Sequence, residues 1–129
     1  MAHANEELIR SGYDAFNRRD REAVINLFSN EIVFHIPGRS QQSGDFSGMK
    51  GVVTYFSKVG ELSGGTHRLE IHDVLANNEH VTALLRAKAE RDGEIFDMNV
   101  VHVWHVAHGR ATELWILPND QYAFDDFWS

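Results

Sequence analysis

Three side chains have the chemistry to move or steady a proton in a largely apolar setting: His35, Asp97 and Asn99. The stretch from Glu94 to Ala107 reads as one long strand. One alternate set along it is Ile95, Asp97, Asn99, Val101, Val103 and His105; the other is Phe96, Met98, Val100, His102, Trp104 and Val106. Successive strand residues point to opposite faces, so a given face receives only one of these sets. A carboxylate or amide set among Val and Ile costs free energy unless it is hydrogen-bonded, and such groups gather where a ligand or catalytic partner meets them. The set with Asp97 and Asn99 is therefore expected to face a pocket, with Val101 and His105 beside them.

His35 lies just before the turn signal Pro37-Gly38 and titrates near neutrality, which suits a general acid or base. Asp97 or His35 would move the proton, and Asn99 or the Tyr13 hydroxyl would steady charge developing on oxygen. Each has a plainer reading: Asp97 paired with an arginine at a strand end, and His35 as a surface or satisfied core histidine. Asp120, after the last strand, can serve as a base at the pocket mouth or cap the helix that follows. Tyr13, Phe34, Trp104 and Trp115 read as walls for a planar or polycyclic ligand, and equally as plain core.

The elements that must position these residues follow from periodicity. Leu8, Ile9, Tyr13 and Phe16 recur at helical spacing between Asn5 and Asn17, and Asp20 caps a short second helix with Ala23, Val24, Leu27 and Phe28 as its buried stripe. Glu31 to Ile36 reads as a short strand, and Pro37 to Gly48 as a polar loop of the kind that borders binding sites. Met49, Val52, Val53, Phe56 and Val59 mark a third helix that the glycines at 60, 64 and 65 stop. Four strands then follow, 66–75, 80–90, 94–107 and 110–117, joined by Asn-Asn, Asp-Gly and His-Gly turns that favour antiparallel hairpins. A last short helix carries Tyr122, Phe124, Phe127 and Trp128. The fold class is α+β: three N-terminal helices on a mainly antiparallel sheet, with a short C-terminal helix.

Composition narrows the function classes. At 129 residues, 43% hydrophobic and 24% charged, residues 1–129 are expected to form one domain with one core. A net charge of -7 argues against nucleic-acid binding, which draws on clustered Lys and Arg. No apolar run approaches the roughly 20 residues of a membrane span, and Glu6 and Glu7 sit where a secretory signal would be basic and then apolar, so a cytoplasmic location is expected. Without cysteine there is no disulfide, thiolate metal site or thiol nucleophile. His102, His105 and His108 alternate faces on a strand and cannot converge on a metal, and no phosphate-binding glycine loop opens a helix after a strand. No cofactor is expected. Both faces of the 94–107 strand are largely apolar while helices can cover only one, so a homodimer through the sheet is expected.

The runs YDAFNRRD at Tyr13 to Asp20, LFSNE at Leu27 to Glu31, and VWHVAHGRATELW at Val103 to Trp115 resemble the nuclear transport factor 2-like superfamily, and within it the SnoaL-like proteins. The resemblance spans nearly the whole chain. It implies a cone-shaped roll in which three helices wrap a strongly curved sheet around a small-molecule pocket. Members include steroid isomerases, polyketide cyclases, epoxide hydrolases, dehydratases and proteins that only bind. Their catalytic sets do not carry over. Ile36 stands where ketosteroid isomerases place a carboxylate, with Gly12 and Val101 at their oxyanion positions. Ile116 replaces the acid of the cyclases, and Leu117, Ala83 and Val81 replace the epoxide hydrolase set. Three functions stay open: a cofactor-independent acid-base enzyme on a hydrophobic small molecule (isomerase, cyclase, dehydratase or hydrolase), a binding protein, or a dimerisation module.

Overall fold

The computed structural model describes residues 2–129. Helix α1 (Ala4–Asn17) turns its Ile9, Tyr13 and Ala15 inward, as the apolar spacing requires. Helix α2 (Arg21–Ile25) is a single short helix capped by the Asp20 carboxylate on the Ala23 amide. Strand β1 (Phe28–Ile36) follows directly, so Phe28 belongs to the sheet and not to a helical stripe. A helix this short has little intrinsic stability, and the Leu27 carbonyl accepts a bond from the Ala111 amide, drawing the chain into the sheet.

The polar segment after Pro37 is shorter than its composition suggests. Strand β2 (Gly44–Ser47) pairs antiparallel with β1. It was not legible because Phe46 is its one apolar residue; the pairing with β1 and the contact of Phe46 with Tyr55 make it a strand. Helix α3 (Gly48–Ser63) runs through Gly60 and ends at Gly64, whose φ of 59° closes the helix.

Strands β3 (Arg68–Ala76), β4 (His80–Arg91), β5 (Glu94–Ala107) and β6 (Arg110–Pro118) form the expected antiparallel meander. The order is β2-β1-β6-β5-β4-β3, and β1 joins β6 in parallel, which makes one six-stranded, mainly antiparallel sheet. Register shifts at Ile71/Asp73, His105/Val106 and Phe28/Val33 break the ladder where the sheet curls.

The helices lie on the concave face, where Phe34, Val52, Val81, Ala83 and Ala111 are fully buried. Helix α4 (Gln121–Trp128) closes one end. Its Phe124, Phe127 and Trp128 pack on Phe96 with ring centroids 6.0, 5.0 and 5.7 Å away. The Trp128 carbonyl accepts from the Gln41 amide and the Phe127 carbonyl from Arg91, which pins this helix to the sheet and the loop. Among the described residues no helix is long and apolar enough to cross a membrane.

Candidate functional site

The ladder between β4 and β5 is unbroken from His80↔His105 to Arg91↔Glu94. With no bulge to reverse it, the parity of β5 is fixed along its length. Phe96, Val100, His102, Trp104 and Val106 are buried on the concave face, and Asp97, Asn99, Val101, Val103 and His105 lie on the other. The expectation that Asp97 and Asn99 face the pocket is therefore corrected. The more uniformly apolar set goes inward because the helices bury that face, and the mixed set goes out.

On the outer face Arg86 satisfies both polar groups, donating from Nε to Asp97 Oδ1 at 2.6 Å and from Nη1 to Asn99 Oδ1 at 3.1 Å. The same contact holds the Asp97 carboxyl below the usual range. His35 is also outside. Its Nδ1 meets Asp45 at 2.9 Å and its Nε2 meets Glu113 at 2.6 Å, and its ring stacks on Trp115. Burial alone would lower its pKa, but the two carboxylates outweigh that and raise it. His105 touches Trp115 and Glu113 on this face, and Val101 lies opposite Leu84 and Leu117. Val101, His105 and Trp115 therefore do not line the cavity. Asp120 caps α4 through the Ala123 amide at 3.1 Å. Of the residues singled out for a site or its wall, the structure brings Tyr13, Phe34 and Trp104 to the pocket.

The cavity has a volume of about 70 Å³ and lies between α1, α3 and the concave sheet. Phe28, Phe34, Phe56 and Trp104 form much of its wall, with neighbouring ring centroids 5.5 to 6.3 Å apart. Six residues bring polar side chains to it: Tyr13, His102, Trp104, Gln42, Tyr55 and His67. Tyr55 donates to Gln42 Oε1 at 2.9 Å, so the polar loop does reach the site.

The other three central groups form one chain. Trp104 Nε1 lies 2.9 Å from the Tyr13 hydroxyl, which lies 2.7 Å from His102 Nδ1. Indole is a donor only, so the phenol oxygen accepts from Trp104. Directing the phenol proton to Nδ1 satisfies both atoms, whereas the reverse leaves a buried phenol proton without an acceptor. His102 thus carries its proton on Nε2, which has no partner among the described residues, and it lines an apolar cavity. Burial, with a smaller contribution from His67, lowers the pKa of His102 to about 3, and burial raises that of Tyr13. Both are neutral at neutral pH. His67 is neutral too, lowered to about 4 by burial and by the Arg19 charge, and its Nδ1 is sealed from solvent with no partner.

Sequence reasoning passed over His102 and His67. The signal for His102 was its place in the purer apolar set of β5, two residues before a tryptophan. For His67, just before β3, no such pattern existed.

Comparison with known proteins places this geometry. The family model for the SnoaL-like domain matches residues 9–114. Bal32a, from a soil-derived mobile gene cassette, is 33% identical with a TM-score of 0.93, over 98% of this chain and 97% of that one. A nuclear transport factor 2-like protein from Burkholderia pseudomallei is 20% identical with a TM-score of 0.89, covering 99% of each chain. TerC, co-crystallised with polyporic acid, is 22% identical with a TM-score of 0.86, over 97% of this chain and 98% of that one. No curated protein sequence matches. The solved chains that do match number 363, a breadth that leaves function to the site residues.

The two buried imidazoles give a pH signature. Unfolded, each takes a proton near pH 6.5; folded, they resist protonation down to about 4 and 3. This contribution to stability is present in full above pH 6.5 and is lost as the pH falls from there toward about 4 for His67 and about 3 for His102. His35, with its pKa raised, acts in the opposite sense. Urea unfolding is expected to show the protein less stable at pH 5 than at pH 7 by roughly 3 kcal/mol, about 2 kcal/mol from each imidazole less what His35 returns, with His67→Phe removing about half of the difference. Equal stability at the two pH values would contradict buried neutral imidazoles.

Proposed function

The chain belongs to the SnoaL-like domain family, and from that premise we propose that it binds a mainly apolar organic molecule and polarises a carbonyl-type oxygen on it with the His102 Nε2 proton. The observation that carries this reading is the Tyr13 hydroxyl held between Trp104 and His102, which leaves a fixed N–H donor in an aromatic cavity. A preorganised donor in a water-poor site stabilises negative charge on oxygen more than water does. The ring wall supplies affinity for a flat or branched hydrocarbon body. TerC, which shares the fold, was co-crystallised with polyporic acid; the choice of ligand here rests on this cavity's own lining.

The role of the dyad is stabilisation more than transfer. Giving up the Nε2 proton would draw the phenol proton onto Nδ1 and leave a buried tyrosinate, which the raised Tyr13 pKa opposes. Among the described residues no Asp or Glu lines the cavity. A reaction on the bound molecule would then use a base in the substrate or water, as in an enolisation or ring closure assisted by the substrate itself. That same lack of a wall carboxylate favours a second reading, binding without turnover.

Two probes separate these readings. By fluorescence titration, 4-phenylbutan-2-one is expected to bind roughly ten times more tightly than butylbenzene, the difference of about one net hydrogen bond. His102→Phe removes that preference. Equal affinities in the wild type would sink the proposal. In heavy water, deuterium uptake at the ketone's α-carbons above the buffer rate supports activation, and uptake at the buffer rate with binding intact leaves the binding protein.

We also propose that the outer sheet face pairs with a second copy. Val101, Val103, Trp115 and Leu84 lie across its centre, and Leu117, Leu75 and Ile95 are 50%, 54% and 76% exposed. Sedimentation is expected to give a dimer that Val103→Glu converts to monomer; a monomeric wild type at micromolar concentration would exclude it.

A further inference from the structure

A second chamber, with a volume of about 190 Å³, lies outside the first, between the α1–α2 corner, the end of α3 and the approach to β3. Phe16, Val24, Phe56, Val59 and His67 belong to the walls of both chambers. They form the partition between an apolar interior and a polar exterior, and the buried, unpartnered Nδ1 belongs to one of them.

The outer chamber is electropositive in a chain of net charge -7. Arg19 and Arg21 line it; partial burial, and after it the nearby charge of Arg68, lowers the pKa of Arg19. Asp20 also lines it, but that carboxylate is engaged: Oδ1 accepts from the Ala23 amide, and Oδ2 lies 3.8 Å from Arg18. Arg18 takes Asp14 as well, at 2.7 Å. Among the described residues Arg19 and Arg21 have no carboxylate partner. Arg21 has one long contact, 3.4 Å to Ser57.

Arg19 is held in place with unusual care for an exposed residue. Its φ of 63° lies in the left-handed region, which costs a non-glycine residue free energy. Its amide donates to the Phe16 carbonyl and its guanidinium to the His67 carbonyl, and the cation lies 5.6 Å from the centre of the Phe16 ring. One residue therefore ties both sides of the partition together, Phe16 on α1 and His67 before β3, and keeps a positive charge at the outer chamber. Asp20, the one acid among the described residues that lines this chamber, serves Arg18 and the α2 cap, which leaves the Arg19 charge for a ligand.

We infer that the ligand is an amphipathic organic carboxylate, its anionic group in the outer chamber against Arg19 and Arg21 and its apolar body past Phe16 and His67 in the inner cavity. This rests on the binding reading above and names the substrate class for that site. An acid with the carboxylate at one end of a hydrocarbon body uses both chambers, and the local field draws it to this entrance while the rest of the surface repels it.

The test compares 3-phenylpropanoate with its neutral counterpart 4-phenylbutan-2-one at low and physiological salt. The acid is expected to bind roughly ten times more tightly, with the advantage shrinking as salt rises. Arg21→Gln and Arg19→Gln each cut the ratio of acid to ketone affinity; Arg21→Gln touches no backbone carbonyl, so it keeps the test sound if Arg19→Gln disturbs the corner. An acid that binds no more tightly than the ketone overturns the inference and leaves the cavity reading standing. Acid binding that keeps its arginine dependence but is not displaced by butylbenzene confines the acid to the outer chamber and overturns the inference, leaving the cavity reading to the ketone. Binding of neither probe overturns both.

Discussion

Burying an imidazole among aromatic rings costs less free energy when its acceptor nitrogen is hydrogen-bonded, and for His102 one phenol supplies that bond. Tyr13 can do so because Trp104 donates to the same oxygen and leaves the phenol proton a single good direction. Three residues from two elements, 89 and 91 positions apart in sequence, must therefore meet within one hydrogen-bond length of each other. Helix α1 has to lie across β5 at a fixed height. The long unbroken ladder between β4 and β5 gives it a rigid floor, and the aromatic packing of α4 on Phe96 closes the far end. The site and the fold constrain each other at that phenol.

The same ladder divides the chemistry between two faces. Inside are neutral groups that hold protons where water does not compete. Outside are charged groups that satisfy one another: Arg86 with Asp97 and Asn99, and His35 between Asp45 and Glu113. The outer groups are the ones that catch the eye in a sequence, because charge among apolar residues is conspicuous. Their charges are already compensated, which leaves them poor candidates for chemistry. The inner groups matter because none of the described residues accepts the Nε2 proton of His102.

Much of the fold was legible in the sequence. The stripe of Ile9 and Tyr13, the Asp20 and Asp120 caps, and the Asp-Gly and His-Gly turns each fix an element through local physics. What was not legible depends on partners far along the chain. Strand β2 exists because β1 offers an edge, and Phe28 enters the sheet because β6 lies beside it. The site was harder still, since both sets on β5 are apolar enough to be buried and only the covering helices decide between them. The polar loop did border the cavity, through Gln42, and Tyr13 and Phe34 did reach it. His102 reads as one more core residue until Tyr13 is placed against it.

The central claim is that His102 is a neutral imidazole protonated at Nε2, with Tyr13 donating to Nδ1. Nitrogen-15 NMR of histidine-labelled protein reports this directly, because the two ring nitrogens differ in shift according to which one bears the proton. The account predicts a His102 signal of the Nε2-protonated neutral form that stays unchanged from pH 7.5 to pH 5, and that loses this tautomeric preference in Tyr13→Phe. A His102 signal that becomes the doubly protonated cation between pH 7 and pH 6, or that shows the Nδ1-protonated form in the wild type, would contradict it.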